Sequence, residues 1–216
     1  MAFFITFEGI EGCGKSTQAG LLAKRLTGRR MSVLTTREPG GCPIADAIRQ
    51  ILLDPANTTL VPRAELLLYA AARAQHVTEV IEPALRKGLI VICDRFTDAT
   101  LAYQGFGRGL DIDLIHTLNQ VATGGIQPDL TLLLDMPQEE GLKRAIQRNT
   151  AASLAHEERF ERETLEFHGK VRNGYRQMAG RSDRFRVIDA QGNIDTVAGR
   201  INQAVDEFIC SRNAAP

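Results

Sequence analysis

Residues 3–17, FFITFEGIEGCGKST, decide the fold of this chain. An apolar run rich in aromatic and β-branched residues leads into a glycine-bearing turn and then into the start of a helical pattern. Gly9, Gly14, Lys15 and Ser16 match G-x-x-x-x-G-K-[ST], the pattern of a phosphate-binding loop or P-loop. A glycine-rich turn with a chance Lys-Ser behind it is the alternative interpretation. The strand-like run before the motif and the helical pattern after it favour a nucleoside triphosphate site.

Two side chains of the P-loop have defined tasks in this pattern. Lys15 would reach the β and γ phosphates, and Ser16 would ligate Mg²⁺. The interior of the loop, Ile10 to Cys13, carries no cation of its own. Because the transferring phosphoryl group bears spread negative charge, a further positive group is expected from elsewhere in the chain.

Strand-like segments recur along the rest of the chain at residues 32–36, 89–93, 130–134 and 185–189. The run LIVIC at 89–93 is continuous, which is typical of a strand buried on both faces of a parallel sheet. Helical periodicity occupies residues 15–25, 43–53, 62–85, 111–121, 137–148, 163–178 and 194–209. The alternation predicts an α/β fold, with a five-stranded parallel sheet and helices on both faces, in a single domain over residues 1–216.

Two details of the helices are predicted from their residues. Pro83 is expected to kink the long helix of residues 62–85 near its end, because proline lacks the backbone N–H. Ile44, Ile51 and Leu114 stand at helical spacing with other apolar residues, and are expected to pack inward.

Composition and charge exclude several classes of protein. Lys plus Arg and Asp plus Glu both number 26, so the net charge is zero and no global field favours nucleic acid or an anionic membrane. The four cysteines are scattered without a C-x-x-C pair, which predicts neither a disulfide framework nor a zinc site. The chain shows no basic segment followed by an apolar core at its N-terminus, and its apolar runs are short. We therefore expect a soluble, cytoplasmic protein.

Charged residues follow two of the predicted strands at their carboxyl ends, where ligands bind in open parallel sheets. Asp94 resembles the carboxylate that supports Mg²⁺ in P-loop proteins, with a helix N-cap as the alternative. Arg95 and Arg37 are placed to meet a phosphate, although Arg37 alone would equally fit a solvated loop.

A second pocket is indicated by Tyr69 and Arg73, which are four residues apart on one helix face. A ring beside a guanidinium could sandwich and hydrogen-bond a nucleobase; a core tyrosine next to a surface arginine is the alternative. Residues 96–109 are dense in polar and aromatic groups, which suggests that they line a site.

Residues 149–160 interrupt the apolar period, and we expect a mobile lid there, an ordinary exposed loop being the alternative. Arg148 stands at the basic edge of this segment. It is the nearest candidate for the cation that the P-loop lacks.

The P-loop alone does not separate switches, transporters and kinases. A GTPase would need an [NT]-K-x-D motif, and the sequence contains no Asn-Lys or Thr-Lys pair. Clustered arginines at the sheet edge instead favour a kinase whose acceptor already carries a phosphate. Such an acceptor needs no general base, because the second pKa of a phosphate monoester is about 6. A nucleotide-binding regulator without acceptor chemistry remains the alternative from another class.

The chain resembles the thymidylate kinase family in its bacterial form. The resemblance rests on FEGIEGCGKST at 7–17, TREPGG at 36–41, LLLYAAARAQHV at 66–77, DRFTDATLAYQGFGRG at 94–109, PDLTLLLD at 128–135, GLKRAIQR at 141–148 and ERFE at 158–161. It implies a P-loop kinase core, a homodimer and a closing lid. It also implies the reaction ATP + dTMP → ADP + dTDP with Mg²⁺, in dTTP synthesis. A nucleoside monophosphate kinase with a broader acceptor range is the alternative.

The resemblance assigns roles on the acceptor side. Glu11 matches an acid near the 3′-hydroxyl of the acceptor and the metal. Arg37 and Arg95 match arginines on the dTMP phosphate. Arg73 matches the arginine on the thymine edge, and Tyr69 falls where the ring that stacks on thymine belongs.

Three residues of the segment after Asp94 also match acceptor positions. Thr100 matches a position that faces the base, Tyr103 matches an aromatic residue that crowds the 2′ position of the sugar and so disfavours ribonucleotides, and Gln104 belongs to the same segment. The implied metal ligands are Ser16 and Asp94.

On the donor side, Arg144 resembles the residue that packs on the adenine of ATP. Arg148 matches the lid arginine of the subclass whose P-loop lacks one, and Gly12 supports that subclass because the other usually carries Arg there. The implied ATP-binding loop comprises Gly9, Ile10, Glu11, Gly12, Cys13, Gly14, Lys15, Ser16 and Thr17. The implied catalytic group comprises Glu11, Lys15, Arg95 and Arg148.

The sequence departs from the family pattern at three positions. Tyr69 stands where Phe is usual, Ala99 where Ser is usual, and Glu158 where Asp is usual in the lid. The missing hydroxyl at Ala99 is expected to weaken a contact near the acceptor without changing the reaction.

Overall fold

A five-stranded parallel sheet forms the centre of the chain in a computed structural model, which describes residues 2–152 and 159–214. The strands are β1 (Phe3–Glu8), β2 (Val33–Arg37), β3 (Ile90–Asp94), β4 (Leu130–Asp135) and β5 (Phe185–Asp189). Their order across the sheet is β2-β3-β1-β4-β5, with every neighbouring pair parallel. The predicted α/β sheet is confirmed.

Nine helices connect and flank the strands in the described part of the chain. They are α1 (Lys15–Gly28), α2 (Pro43–Leu53), α3 (Pro62–His76), α4 (Glu82–Arg86), α5 (Thr97–Thr100), α6 (Ile112–Thr123), α7 (Gln138–Ala152), α8 (Leu165–Ala179) and α9 (Ile194–Ala214). Two π-helical turns, Val77–Ile81 and Leu101–Gly107, join α3 to α4 and extend α5.

Alternation along β1 shows why helices cover both faces of the sheet. Ile5 packs in one cluster with Leu22 of α1, whereas its neighbour Phe4 packs in another with Ile81 and Phe96. Successive side chains of a strand point to opposite faces. Both faces of the central strand are therefore buried, as the continuous apolar runs predicted.

The sheet register brings the expected functional segments to one edge. Phe7 of β1 and Arg37 of β2 both pair with Asp94, the last residue of β3. The P-loop, the residues after Asp94 and the loop after Arg37 therefore leave the sheet side by side.

The helix predicted over residues 62–85 is irregular near its end. The π-helical turn Val77–Ile81 lies just before Pro83, which stands in the first turn of α4, so the irregularity falls where the proline predicted one. Helix α7 continues past Arg148 to Ala152, so the predicted end of this helix at residue 148 is wrong by about a turn. Residues 153–158, including Glu158, lie outside the described residues.

Three apolar side chains do not pack as predicted. Ile44, Ile51 and Leu114 are each about half exposed rather than inward. Periodicity shows that a helix has an apolar face, but it does not show whether another element of the same chain covers that face. In the described residues, no helix combines the length and the apolar character needed to cross a bilayer.

Candidate active site

A cavity of about 360 Å³ opens at the carboxyl edge of the sheet. Most predicted site residues line it: Glu11, Gly12, Lys15, Ser16, Arg37, Tyr69, Arg73, Asp94, Arg95, Thr100, Tyr103, Gln104 and Arg148. The cavity wall does not include Gly9, Ile10, Cys13, Gly14, Thr17 and Arg144. The first five of these belong to the P-loop and the start of α1, while Arg144 pairs with Glu140 at 2.7 Å on α7.

The P-loop has the backbone shape that its glycines predicted. Gly9, Gly12 and Gly14 have φ angles of 135°, 70° and 93°, values that residues with a side chain rarely adopt. Lys15 is 8% exposed, and its Nζ donates to the carbonyl oxygen of Ile10 at 2.7 Å. The loop therefore curls around the ammonium group, at the N-terminus of a 14-residue helix.

Gly12 and Gly141 form a close contact between the P-loop and α7. A Cβ atom at Gly12 would lie 1.9 Å from the carbonyl oxygen of Gly141, and one at Gly141 would lie 2.6 Å from that of Glu11. Neither position has room for a side chain. This contact holds α7 against the P-loop, and Arg148 reaches the cavity from two turns further along the same helix.

Replacing Gly141 by alanine tests this contact. The new Cβ would meet backbone, so we expect α7 to shift and kcat/KM for ATP to fall by about tenfold, in line with an overpacking cost of ~1–3 kcal/mol. Steady-state kinetics with varied ATP measures the effect. Gly20→Ala is the matched control, because Gly20 lies in α1 with open space around its Cβ. That variant should keep full activity and unfold at a slightly higher temperature; equal kinetics in the two variants would contradict the prediction.

Ser16 and Asp94 meet at the floor of the cavity. The Ser16 hydroxyl donates to Oδ2 of Asp94. Hydroxyl and carboxylate oxygens are the ligands that Mg²⁺ prefers, so the donor set fits that ion. In the described residues, no group of three or more His, Cys, Asp or Glu side chains could hold a metal. An ion here would therefore take its other ligands from phosphates and water.

Arg95 occupies a strained backbone position beside the P-loop. Its φ of 69° is unusual for a residue with a side chain, and its N–H donates to the carbonyl oxygen of Phe7 at 2.9 Å. The guanidinium donates through Nη1 to the Gly9 carbonyl (2.9 Å) and to the Tyr175 hydroxyl (3.2 Å). Strain of this kind persists only where surrounding contacts fix it, which is typical of a functional site.

Glu11 lies in a cage of hydrogen-bond donors. Its Oε1 accepts from the Tyr103 hydroxyl (2.5 Å) and from Nη2 of Arg95 (3.1 Å). Burial alone would raise the pKa of this carboxyl, but His168, Arg95 and Lys15 together hold the pKa well below its usual range. Glu11 is therefore ionised and accepts hydrogen bonds at neutral pH.

Glu8, the last residue of β1, binds two groups that lie next to Arg95, namely Tyr175 and the backbone of Phe96. Its Oε2 accepts from the Tyr175 hydroxyl at 2.7 Å, and its Oε1 accepts from the backbone N–H of Phe96 at 2.7 Å. Burial, with a smaller effect of Asp98, raises the pKa of Glu8 to about 8. Glu8 thus fixes Tyr175, which in turn contacts Arg95.

Arg73 is a buried residue, not the surface arginine of the alternative interpretation. It is 2% exposed, and its Nε donates to Oε2 of Glu38 at 2.8 Å. Nη1 donates to Thr100 Oγ1 (3.0 Å) and Asn119 Oδ1 (2.8 Å), and Nη2 donates to the Phe96 carbonyl (3.0 Å). Four of its five N–H groups are used, which leaves one on Nη2 for a ligand.

His76 supports this network from the core, and it has no place in the cavity wall. Its Nδ1 lies 3.0 Å from Oε1 of Glu38, and its Nε2 lies 2.6 Å from the Thr36 hydroxyl. Glu38 stands in the TREPGG segment, yet sequence reasoning assigned it no role. The sequence carries no signal for this role, because a carboxylate partner is required only by a buried arginine and the burial of Arg73 is seen only in the structure.

Other cavity residues include one arginine that the sequence analysis missed. Arg37 is half exposed and pairs with Asp46 at 3.0 Å. Arg49, on the next turn of α2, donates from Nη1 to the Pro39 carbonyl at 2.9 Å and lines the cavity beside Tyr69. Helical spacing places Arg49 near Asp46 but does not show that its side chain lines a cavity.

The structure separates the two arginines that flank the predicted lid. Arg148 is 57% exposed at the cavity wall, with Nη2 3.4 Å from Oε1 of Glu161. Arg159 is mostly buried, pairs with Glu65 at 2.6 Å and donates to the Leu52 carbonyl at 3.1 Å. Arg159 therefore forms a structural ion pair outside this cavity. Of these two arginines, Arg148 is the one that lines the cavity.

Glu65 extends this ion pair to the acceptor side. It is fully buried, and its Oε1 accepts from Nε2 of Gln104 at 2.7 Å. Gln104 and Phe160 both line the cavity, and Phe160 packs edge-on against Tyr103. The chain that follows the undescribed residues is thus tied directly to the predicted acceptor segment.

Comparison with known proteins gives one consistent result. The family model described as thymidylate kinase matches residues 7–201. The chain is 60% identical over 214 residues to the thymidylate kinase of Trichlorobacter lovleyi, covering 99% of each chain. It is 60% identical over 207 residues to that of Geotalea daltonii, covering 95% of this chain and 97% of the relative.

A solved structure agrees with the fold and with this relationship. The crystal structure of thymidylate kinase from Ehrlichia chaffeensis is 33% identical and superposes with a TM-score of 0.75, covering 95% of this chain and 98% of the other. The similarity spans nearly the whole chain, and the match to the family model includes the P-loop. The chain belongs to the thymidylate kinase family.

Proposed function

We propose that this chain transfers the γ-phosphoryl group of ATP to dTMP, giving ADP and dTDP in dTTP synthesis. Phosphorylation of dTMP is the activity of the family to which the chain belongs. The observation that carries the proposal is a single cavity wall that holds both the P-loop lysine and a buried arginine with one unused N–H. The first serves a triphosphate and the second a nucleobase.

The acceptor lies, in this proposal, between α3 and the segment after β3. Arg73 donates its remaining N–H to a carbonyl of thymine, and Tyr69 stacks on the ring. Arg37 and Arg95 hold the phosphate. Tyr103, whose hydroxyl is fixed on Glu11, fills the space next to the sugar.

The donor phosphates lie in the P-loop, with Lys15 on the β and γ groups. Arg148 reaches from α7 to the transferring phosphoryl group and offsets its charge in the transition state. The acceptor phosphate is itself the nucleophile, so no side chain needs to remove a proton. Catalysis then consists of positioning and charge neutralisation. Arg144 packs near the adenine.

Ser16 and Asp94 would hold Mg²⁺ here, and Glu11 lines the same cavity. The ion, when bound, supplies charge neutralisation for the phosphate oxygens.

Three further properties belong to the proposal. Exposed apolar side chains on three neighbouring helices, namely Ile44, Ile51, Leu67, Leu114 and Val121, support a homodimer. A cytoplasmic location fits the family and the scattered free cysteines. A mobile lid over residues 149–160 remains a proposal as well.

An acceptor panel tests the proposed specificity. Phosphate transfer from ATP is measured with dTMP, dUMP, UMP, CMP and AMP at equal concentrations. We expect kcat/KM to be highest for dTMP, and to be at least ~100-fold lower for the ribonucleotides, because crowding and an unpaired polar group both act against the 2′-hydroxyl. A clear preference for any ribonucleotide would overturn the proposal.

A further inference from the structure

The two carboxylate oxygens of Glu11 are held differently. Oε1 accepts two hydrogen bonds, from Tyr103 and Arg95. Oε2 is buried, and it accepts no regular hydrogen bond from the described residues. The group that faces it is His168, whose Nδ1 lies 3.3 Å away. The position of Oε2 therefore depends on the imidazole of His168.

His168 is buried without another polar partner in the described part of the chain. It is 1% exposed in the first turns of α8, and its Nε2 has no hydrogen-bond partner there. Burying an unpaired imidazole nitrogen costs about 1–3 kcal/mol. A side chain that only filled space would avoid this cost, so the position of the ring points to the carboxylate in front of Nδ1.

Helix α8 gives His168 a fixed position. A Cβ at Gly107 would lie 2.6 Å from the Phe167 ring, and one at Gly174 would lie 2.5 Å from Phe106. These two close approaches lock α8 against the π-helical turn that carries Tyr103. Tyr175, two turns after His168, contacts Arg95 from the same helix. Helix α8 thus contacts Glu11 through His168 and Arg95 through Tyr175, and it packs against the segment that carries Tyr103.

We propose that His168 is a positioning residue that holds Oε2 of Glu11 through the 3.3 Å contact of its Nδ1, and so keeps Glu11 and the Tyr103 hydroxyl in place against the acceptor's sugar. His168 does not touch the substrate. Its effect passes through Glu11 to Tyr103, so it contributes to deoxyribonucleotide preference. This inference rests on the proposed dTMP kinase function.

The test compares His168→Phe with His168→Asn. Phenylalanine keeps the ring volume but removes the donor, whereas the asparagine amide can place an N–H near the position of Nδ1. We expect His168→Phe to raise KM for dTMP about tenfold, because it removes the polar group that faces a buried carboxylate oxygen, with KM for ATP unchanged. The ratio of kcat/KM for dTMP over UMP should fall by a similar factor. His168→Asn should restore most of both values.

Val171→Ala is the matched control. Val171 is fully buried on the same helix and packs towards Gly107, so its truncation loosens α8 without removing a donor from Glu11. It should lower the unfolding temperature but leave the dTMP over UMP ratio unchanged. If His168→Phe changes that ratio no more than Val171→Ala does, or if His168→Asn is as impaired as His168→Phe, the inference is wrong.

A coupled variant gives a second measure. In a Glu11→Gln background, His168→Phe should change kcat/KM for dTMP by less than twofold, because the group it positions is already altered. A full additional tenfold loss would also overturn the inference. Wild-type protein that fails to phosphorylate dTMP would instead refute the proposed function, so the two failures are distinguishable.

Discussion

Replacing Arg148 by alanine should lower kcat by about 10³ or more, with little change in the unfolding temperature. Removing an arginine that stabilises the transferring phosphoryl group has effects of this size. The structural loss should be small, because the side chain is more than half exposed and its distance to Glu161 is long at 3.4 Å. Steady-state kinetics with saturating ATP and dTMP measures kcat, and thermal unfolding measures the fold.

Lys143→Ala is the control for Arg148→Ala. Lys143 is an exposed cation on the same helix, and it does not line the cavity. Its removal changes the charge of α7 by the same amount and should leave kcat within about twofold of wild type, since exposed charges act weakly at physiological salt. A near-normal kcat in Arg148→Ala would remove Arg148 from the catalytic group.

Replacing Arg73 by methionine should destabilise the protein by about 3–5 kcal/mol and lower kcat/KM for dTMP by about 10². The stability loss follows because Glu38 would remain buried with His76 as its one remaining ion-pair partner among the described residues. The kinetic loss follows because the N–H proposed for thymine is gone. Urea unfolding followed by circular dichroism measures the free energy of unfolding.

The double variant Arg73→Met/Glu38→Met separates the two effects. With both charges removed, no unpaired carboxylate remains in the core, so part of the lost stability should return. The activity towards dTMP should stay low, because the donor is still missing. Wild-type stability in Arg73→Met, or a double variant no more stable than the single one, would contradict this account.

The fold was predictable chiefly from its three central strands, β1, β3 and β4, which are short, continuous and mostly apolar. Such strands leave little choice of sheet face, since both of their faces are buried. The edge strands β2 and β5 are partly exposed, yet β5 occurs at the predicted residues 185–189, and Arg37 and Asp94 end neighbouring strands as their positions required. The P-loop was predictable for a related reason, because its task fixes both the residue types and their spacing.

The supporting contacts of the cavity were not predictable in the same way. Glu38, His168 and Tyr175 act through residues that are far away in sequence, and helical periodicity does not say which polar group a buried side chain will face. The same limit explains the exposed Ile44 and Leu114. The spacing of apolar residues shows which face of a helix or strand is apolar. Which other element covers that face depends on how the elements pack.

The close contact of Gly12 with Gly141 bears on how this kinase could change during evolution. The resemblance implies a sister subclass with arginine at position 12, which here would collide with the backbone of α7. Exchanging one arrangement for the other would require the helix to move as well as the cation. A chain that changed one residue at a time would pass through forms with no well-placed cation. These intermediate forms would be poor enzymes, which hinders the change from a lid arginine to a P-loop arginine. An inhibitor built to pair with a guanidinium at position 12 should consequently spare this protein.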